Sequence, residues 1–276
     1  MRLRKNTGWV LFIQSVVARA YPRVIGQQRE KSWMFFEILL PMLSVAAYVF
    51  VYRAIGAPEE YVGFVVMGGA MLAFWMNVLW NMSSQLYWEK EQGNLALYII
   101  APNSMMAILL GMAVGGLFAT LMRAVVIVGL GSWMFQVRYT IASFPLLFAV
   151  FILAMVALYG LGMMSASIFL LFSREAWHLV SLAQEPVYLA SGFYFPIKNL
   201  NFWVAAAASL IPLTLGLDAM RQLAFPSGET LGFLSVPVEL AVLLVLSLFF
   251  LLGARWLLNY IEKLAVREGR LTESRR

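Results

Sequence analysis

Residues 144–172 read FPLLFAVFILAMVALYGLGMMSASIFLLF, a long run that contains no Asp, Glu, Lys, Arg or His. A helix needs about 20 mainly apolar residues to cross the roughly 30 Å of hydrocarbon in a bilayer. A helix that is apolar on all sides must be buried in a large core or surrounded by lipid. This run therefore predicts a membrane-spanning helix, and it decides the class of the protein.

The rest of the 276-residue chain has the same character. Hydrophobic residues make up 62% and charged residues 12%, whereas a soluble domain has about 25% charged residues. A lipid-exposed backbone must satisfy its own hydrogen bonds, and these apolar runs are continuous, unlike the alternating strands of a membrane barrel. We therefore expect an all-α polytopic membrane protein, with one domain over residues 1–276. Six spans are predicted, at residues 34–55, 62–82, 105–135, 144–172, 177–193 and 236–260.

Lysine and arginine are distributed unevenly about these predicted spans. Of the 20 such residues, 15 fall on one side, 4 on the other, and Arg123 lies within a span. Because positive residues accumulate on the cytoplasmic side, both termini are predicted to be cytoplasmic. The net charge of +6 thus reflects the excess of Lys and Arg on the predicted cytoplasmic side. Nucleic-acid binding is not expected, because the basic residues flank spans and do not form a patch on a folded domain.

Residues 8–27 predict an amphipathic helix that lies on the membrane surface. Its apolar residues fall on one face at helical spacing, and three polar residues lie off that face: Gln14, Arg19 and Arg23. Pro22 and Gly26 are expected to bend or end the helix. A cleavable signal peptide is the alternative, which the polar residues inside its apolar stretch disfavour.

The sequence offers little material for catalysis. It contains no Gly-Lys dipeptide, so it has no phosphate-binding loop and is not expected to hydrolyse ATP itself. It has no cysteine, His178 is its only histidine and Asp218 its only aspartate. We therefore expect no catalytic residue, no metal site and no bound cofactor in this chain.

Three ionisable residues lie within predicted spans: Glu37, Arg123 and Glu185. Charges at membrane depth are rare and mark polar paths or pairs. One interpretation is a polar path for a substrate, with an Arg123–Glu185 pair. The other is a structural ion pair that joins helices, and the sequence leaves both open.

Residues 84–104 connect the second and third predicted spans on the cytoplasmic side. The segment indicates a charged turn of helix, a break at Gly93, a short apolar helix and a stop at Pro102. A short helix held between two spans is rigidly coupled to both. A cytoplasmic partner can therefore move the spans through it.

Residues 194–225 contain two apolar helical segments, each too short to cross a bilayer and punctuated by Gly and Pro. Broken helices at membrane depth occur only where protein or a water-filled cavity covers them. We predict a re-entrant helical hairpin that enters from the outer face. Asp218 and Arg221 are three residues apart and can pair on one helix face.

Taken in order, these segments resemble the type 2 ATP-binding-cassette (ABC) exporter permeases. The resemblance is carried by residues 89–95 (EKEQGNL) and 101–104 (APNS), and then by 191–192 (SG), 195–196 (FP), 212–214 (PLT) and 218–221 (DAMR). The amphipathic N-terminal helix, the six spans and the hairpin before the last span also match. Two positions depart from the family pattern: Asn94 replaces a usual Thr, and Leu95-Ala96 stands where an acidic residue is expected.

The resemblance implies a permease that pairs with a second copy of itself or a homologous permease in a bacterial or archaeal inner membrane. It implies two copies of a separate ABC ATPase subunit, which bind ATP and Mg, and a conduit between the permease copies lined by spans one, two and five. The implied ATPase-coupling residues are Tyr87, Trp88, Glu89, Lys90, Glu91, Gln92, Gly93, Arg174 and Glu175. The implied outer-face motif comprises Ser191, Gly192, Phe195, Pro196, Pro212, Asp218 and Arg221.

The leading hypothesis is ATP-driven export of an amphiphilic drug-like or lipid-like molecule. Aromatic residues along span two favour a lipid-linked polysaccharide or glycolipid as the alternative substrate. A second alternative is a secondary transporter that needs no ATPase, with Arg123 and Glu185 as coupling residues. Against it stands the absence of inverted repeats. The scarcity of catalytic residues disfavours a third class, an intramembrane enzyme.

Overall fold

The computed structural model describes residues 8–100, 104–172, 174–225 and 228–268, and every regular element in these ranges is helical. The α-helices are α1 (Trp9–Arg29), α2 (Lys31–Ala54), α3 (Glu60–Met76), α4 (Gln85–Glu91), α5 (Asn94–Ile100), α6 (Met105–Phe135), α7 (Phe144–Phe172), α8 (Arg174–Ala190), α9 (Phe202–Ala208), α10 (Pro212–Ala224), α11 (Gly228–Leu231) and α12 (Val236–Glu268). A π-helical turn at Asn77–Met82 follows α3, and a 3₁₀ turn at Ile197–Asn199 follows α8. The all-α class predicted from the sequence is confirmed.

Five helical stretches in the described ranges are long and apolar enough to cross a bilayer: Met34–Ala54, Glu60–Glu91, Met105–Phe135, Phe144–Phe172 and Val236–Ile261. The helix α8 is not among them, because it has only 17 residues and is amphipathic. The span predicted at 177–193 therefore stays a prediction. The helices α9 and α10 meet at an angle of 107°, a bend that fits either a broken span or a re-entrant hairpin, so the predicted hairpin stays a prediction.

The segment predicted to break at Gly93 does so. Gly93 adopts a φ of +77°, a backbone conformation that residues with a Cβ rarely adopt, and it separates α4 from α5. Residues 101–103, including the predicted stop, lie outside the described residues. Ser104 then caps α6 by accepting a hydrogen bond from the Met106 N–H at 3.1 Å.

The helix α3 forms the centre of the bundle. In the most apolar 18-residue window of the stretch Glu60–Glu91, 83% of the residues are buried, against 11% in the corresponding window of Met34–Ala54 and 22% in that of Val236–Ile261. The helices α2, α6 and α10 pack around α3, while α12 packs against α7. Consequently α2 and α12 present apolar side chains outward, where lipid or another chain can cover them.

Small residues allow α1 to pack closely against α6. A Cβ atom added at Gly111 would lie 2.5 Å from the carbonyl oxygen of Val16, and one at Gly115 would lie 2.9 Å from that of Ala20. Glycine at these positions thus permits a close approach of the two backbones. The helix α1 continues through Pro22 to Arg29, so neither proline nor glycine ends it, contrary to one of the two sequence expectations.

We expect the substitution Gly115→Leu to displace α1 from α6. The added side chain would overlap the Ala20 carbonyl and approach the Arg23 Cβ, and overpacking of this kind costs about 1–3 kcal/mol. The melting temperature of the purified protein should fall. Gly129→Leu is the matched control on the same helix, because a Cβ there meets nothing within 4 Å. Equal melting temperatures for the two variants would contradict this packing.

Candidate substrate cavity and coupling junction

A cavity of about 670 Å³ lies between α2, the α3–π-turn stretch, α6 and α8. Most of its wall is apolar or aromatic. A few polar groups interrupt the wall, in the manner of sites that bind organic ligands. The lining residues are Phe36, Glu37, Leu40, Pro41, Ser44, Leu72, Ala73, Met76, Asn77, Trp80, Asn81, Arg123 and Tyr188.

The π-helical turn places two asparagines and a tryptophan on the cavity wall. Such turns insert one extra residue into a helix and occur frequently at functional sites. Asn77 Oδ1 accepts a hydrogen bond from the Tyr159 hydroxyl at 3.0 Å, while its buried Nδ2 has no hydrogen-bond partner within the described chain. No sequence motif predicted this site. Asn77 and Asn81, two amides four residues apart in an apolar run, are the signal that would have indicated it.

Two of the three predicted intramembrane charges meet at this cavity. Arg123 on α6 forms an ion pair with Glu37 on α2 and donates a hydrogen bond to Thr120 Oγ1 at 2.9 Å. Glu185 is exposed on α8 and does not line the cavity. The Arg123–Glu185 pair suggested by the sequence is therefore wrong. The helix α2 packs directly against α6, so Glu37 is the carboxylate that pairs with Arg123. The ion pair joins two helices and also forms part of the cavity wall.

One turn beyond Ser44, aromatic side chains attach α2 to the loop that follows α8. Tyr48 stacks on Tyr194 with ring centroids 4.0 Å apart. The Tyr52 hydroxyl donates a hydrogen bond to the Tyr194 carbonyl at 2.8 Å. The cavity-lining part of α2 thus ends at this tyrosine cluster.

Glu89 is the centre of a polar junction between three helices. It is only 3% exposed and forms an ion pair with Arg19 of α1. Gln85 donates to Glu89 Oε1 at 3.1 Å, and Asn94 and Tyr98 of α5 donate to Glu89 Oε2 at 3.0 and 2.9 Å. Burial raises the pKa of Tyr98, so its hydroxyl keeps the proton that it donates. We call these five residues the coupling junction.

A second contact, one helical turn further along α1, joins α1 to α4. Arg23 donates a hydrogen bond to Gln85 Oε1 of α4. Burial lowers the pKa of Arg23 to about 10, so the side chain is still charged at neutral pH. Arg19 and Arg23 of α1 therefore face the protein, while the exposed residues of the helix include the apolar Trp9, Ile13 and Val17.

The remaining predicted coupling residues differ in exposure. Trp88, Glu91, Gln92 and Gly93 are exposed, Tyr87 and Lys90 are half-buried, and Glu89 is buried. The side chains of Arg174 and Glu175 lie outside the described residues. Near them, the Trp177 ring of α8 packs against Tyr87 and Trp88 of α4, with ring centroids 6.2 and 6.1 Å apart. The two segments predicted to contact an ATPase are thus neighbours.

In the outer-face motif, Arg221 is 2% exposed and joins three parts of the chain. Its guanidinium donates to the carbonyl oxygens of Gly192, Phe193 and Phe195, at 2.6, 2.8 and 3.3 Å, in the loop after α8. It also donates to the Phe64 carbonyl of α3 at 2.8 Å. Arg221 thereby holds α10, α3 and this loop together.

The other members of the motif lie around this arginine. Asp218 accepts a hydrogen bond from the Phe233 N–H at 2.7 Å, so the hydrogen bonds of Arg221 and Asp218 go to different partners and the expected pairing between them does not form. Ser191 is buried, Pro196 precedes the 3₁₀ turn, and Pro212 is the first residue of α10, where a missing N–H is harmless.

Comparison with known proteins identifies the family. A family model described as ABC-2 type transporter matches residues 13–225, which include the cavity, the coupling junction and Arg221. The chain is also similar to the "Probable multidrug ABC transporter permease YbhR" of Escherichia coli strain K12 and to the protein of the same name from E. coli O157:H7. Each is 24% identical over 164 residues, 59% of this chain and 44% of the relative, so the match spans less than half of the relatives' length. The chain belongs to the ABC-2 type transporter family.

Proposed function

We propose that this chain is the permease of an ATP-driven exporter for amphiphilic drug-like or lipid-like molecules. The cavity of about 670 Å³ carries the proposal. Its apolar wall suits the body of such a molecule, while Asn77, Asn81 and the Glu37–Arg123 pair suit a polar head group. Because the ion pair is neutral as a whole, a neutral or zwitterionic head group fits best.

A separate ABC ATPase supplies the energy and binds ATP and Mg, since this sequence has no phosphate-binding loop. Its docking surface is the exposed side of α4, with Trp88, Glu91 and Gln92, next to the start of α8. Glu89 does not contact the ATPase. It transmits the movement of α4 to α1 and α5 through the coupling junction.

A second permease copy covers the face formed by α2 and α8. Exposed apolar side chains lie on both helices: Phe36, Leu40, Leu43, Leu182 and Leu189. Glu185 is exposed among those of α8, and a carboxylate at membrane depth is disfavoured in contact with lipid. A conduit between two copies provides Glu185 with water. The distribution of Lys and Arg supports cytoplasmic termini. The proposed assembly has two permease copies and two ATPase copies in the inner membrane of a bacterium or archaeon.

Two observations bear on the substrate. The similar E. coli proteins are described as multidrug permeases, which supports a drug-like substrate for this chain. Trp80 on the cavity wall offers a stacking surface for a sugar ring, which favours a glycolipid or lipid-linked polysaccharide as the second candidate.

Filling the cavity tests the proposal. The permease is rebuilt in nanodiscs with the ABC ATPase that co-purifies with it, and ATPase stimulation is measured with neutral amphiphiles and with glycolipids. Ala73→Trp places a large ring in the cavity. We expect it to raise the concentration for half-maximal stimulation at least about tenfold, which corresponds to about 1.4 kcal/mol. Ala241→Trp, on the exposed face of α12, is the control and keeps the stimulation.

Three outcomes decide between the functions. Stimulation by amphiphiles that Ala73→Trp removes supports the proposal, and stimulation by glycolipids alone supports the second candidate. Accumulation of the stimulating compound inside inverted vesicles supports export. Solute movement along an ion gradient by the permease alone would overturn an ATP-driven function.

A further inference from the structure

Two buried carboxyl groups meet where the re-entrant helix α10 packs against α12. Asp218 lies on α10, and Glu239 on α12 is 0% exposed. The two carboxyl groups share one neighbouring amide, that of Gln222 on α10. Gln222 Nε2 lies 3.3 Å from Asp218 Oδ2 and also 3.3 Å from Glu239 Oε2. Among the described residues, no basic side chain donates a hydrogen bond to either carboxyl group.

Among the described residues, one hydrogen-bond donor is missing when both carboxyl groups are ionised. The Gln222 amide has two N–H groups, and it donates one to the Leu234 carbonyl at 2.7 Å, which leaves one for two carboxyl groups. Asp218 has a second donor in the Phe233 N–H. Glu239 Oε1 is buried and finds no partner in the described part of the chain. Two adjacent ionised carboxylates would repel each other, and a buried charge without partners is strongly disfavoured.

We propose that Asp218 and Glu239 form a proton-sharing carboxyl pair that fastens α10 to α12. The proton of the pair is assigned to Glu239, because the Phe233 N–H donates to Asp218 whereas Glu239 Oε1 has no partner among the described residues. Glu239 holds the proton and supplies the missing donor. Loss of that proton makes both groups negative, and their repulsion weakens the contact between α10 and α12. The proposal does not depend on which substrate is carried.

The neighbouring elements offer no better partner for Glu239. The helix α7 packs against both α10 and α12 and contains no Asp, Glu, Lys, Arg or His. On α10 the charged neighbour is Arg221, whose hydrogen bonds go to four carbonyl oxygens. The other charged residues of the elements packed on α10 and on the same stretch of α12 are Glu60 of α3, Arg123 of α6 and Glu229 of α11.

A bound cation explains the pair less well than a proton does. Cations such as Ca²⁺ need several oxygen ligands, whereas N–H groups of Gln222 and Phe233 point at these carboxyl oxygens. No group of three or more His, Cys, Asp or Glu side chains suited to a metal occurs among the described residues.

The experiment compares the wild-type chain with Glu239→Gln and with Glu59→Gln, an exposed carboxyl as the control. Between mildly acidic and neutral pH, the folded protein keeps a proton on this pair, whereas the carboxyl groups of the unfolded chain have released theirs. The free energy of unfolding therefore falls as the pH rises. We expect the melting temperature of the wild type and of Glu59→Gln to fall from mildly acidic to mildly alkaline pH. Glu239→Gln should lose much of this slope, because its amide keeps donor hydrogens at every pH.

Infrared spectroscopy of the wild type gives a second measurement if Glu239→Gln folds poorly. A carboxylic-acid C=O stretching band should be present at neutral pH, remain in Glu59→Gln and disappear in Glu239→Gln. Absence of the band in the wild type would overturn the proposal. Equal pH slopes for the wild type and Glu239→Gln would do so too, as would stabilisation of the wild type by added Na⁺ or Ca²⁺ that Glu239→Gln does not show.

Discussion

The substitution Glu89→Ala is expected to destabilise the permease and to uncouple it from its ATPase. It removes the acceptor for Arg19, Asn94 and Tyr98 at once and leaves these donors partly buried without a partner. Removing one partner of a buried ion pair costs about 3–5 kcal/mol. Arg19 remains partly in contact with solvent, so about 3 kcal/mol is expected here. The melting temperature and the substrate-stimulated ATPase activity of the reconstituted complex measure the two effects.

Glu91→Ala is the matched control two residues further along α4. Glu91 is exposed, and surface substitutions usually change stability by less than about 0.5 kcal/mol. If the exposed side of α4 is the docking surface, Glu91→Ala weakens ATPase association while the fold stays intact. Equal stability of the Glu89→Ala variant and the wild type would contradict the junction, and so would equal destabilisation by the two substitutions.

A double-mutant cycle separates the ion pair from the rest of the junction. Arg19→Ala and Glu89→Ala should together cost less than the sum of the single changes, because either one already breaks their contact. A purely additive result would indicate that the Arg19–Glu89 ion pair does not contribute to holding α1 and α4 together. The cycle thereby tests whether charge links the N-terminal helix to the docking helix.

The substitution Arg221→Met is expected to prevent the chain from accumulating as a monodisperse protein. It leaves four carbonyl oxygens without their donor, in the loop after α8 and at Phe64. Each buried polar group left unsatisfied costs about 1–3 kcal/mol, and the net stability of a domain is only about 5–15 kcal/mol. The yield after extraction, the size-exclusion profile and the melting temperature measure the effect.

Two further variants test whether the loss of stability is specific to the guanidinium group of Arg221. Arg221→Lys keeps the charge, but its ammonium group has three donors and no planar fork, so we expect a partial loss of stability. Arg138→Met removes an exposed arginine and should leave stability nearly unchanged. Wild-type behaviour of Arg221→Met would show that the loop after α8 does not depend on this side chain.

Glu89 and Arg221 contact opposite ends of the stretch Glu60–Glu91, which contains α3 and α4. Glu89 lies in the continuation of that stretch into α4, whereas Arg221 binds the Phe64 carbonyl near its beginning. The cavity lies between them, at residues 72–81 of the same stretch. A movement of α4 therefore reaches the cavity wall directly along one helix.

The helices themselves could be predicted because the length of a span and the apolarity of its residues are local properties. The runs at 105–135 and 144–172 became α6 and α7 with the same bounds, and Gly93 broke the chain where its conformational freedom indicated. The bilayer sets the required length for each run separately, so no knowledge of neighbouring helices is needed.

The partners of the charged residues were decided only by the tertiary structure. Arg123 pairs with Glu37 and not with Glu185, and Glu89 turns inward to Arg19 while Glu91 stays exposed. Neither result follows from hydropathy, since each joins residues that are far apart in the sequence. The sequence determined which segments are helical and apolar, because the bilayer requires each spanning segment to be apolar whatever its neighbours are. Which charges meet depended on how those helices pack, because a buried charge takes the partner that its neighbouring helix places within reach.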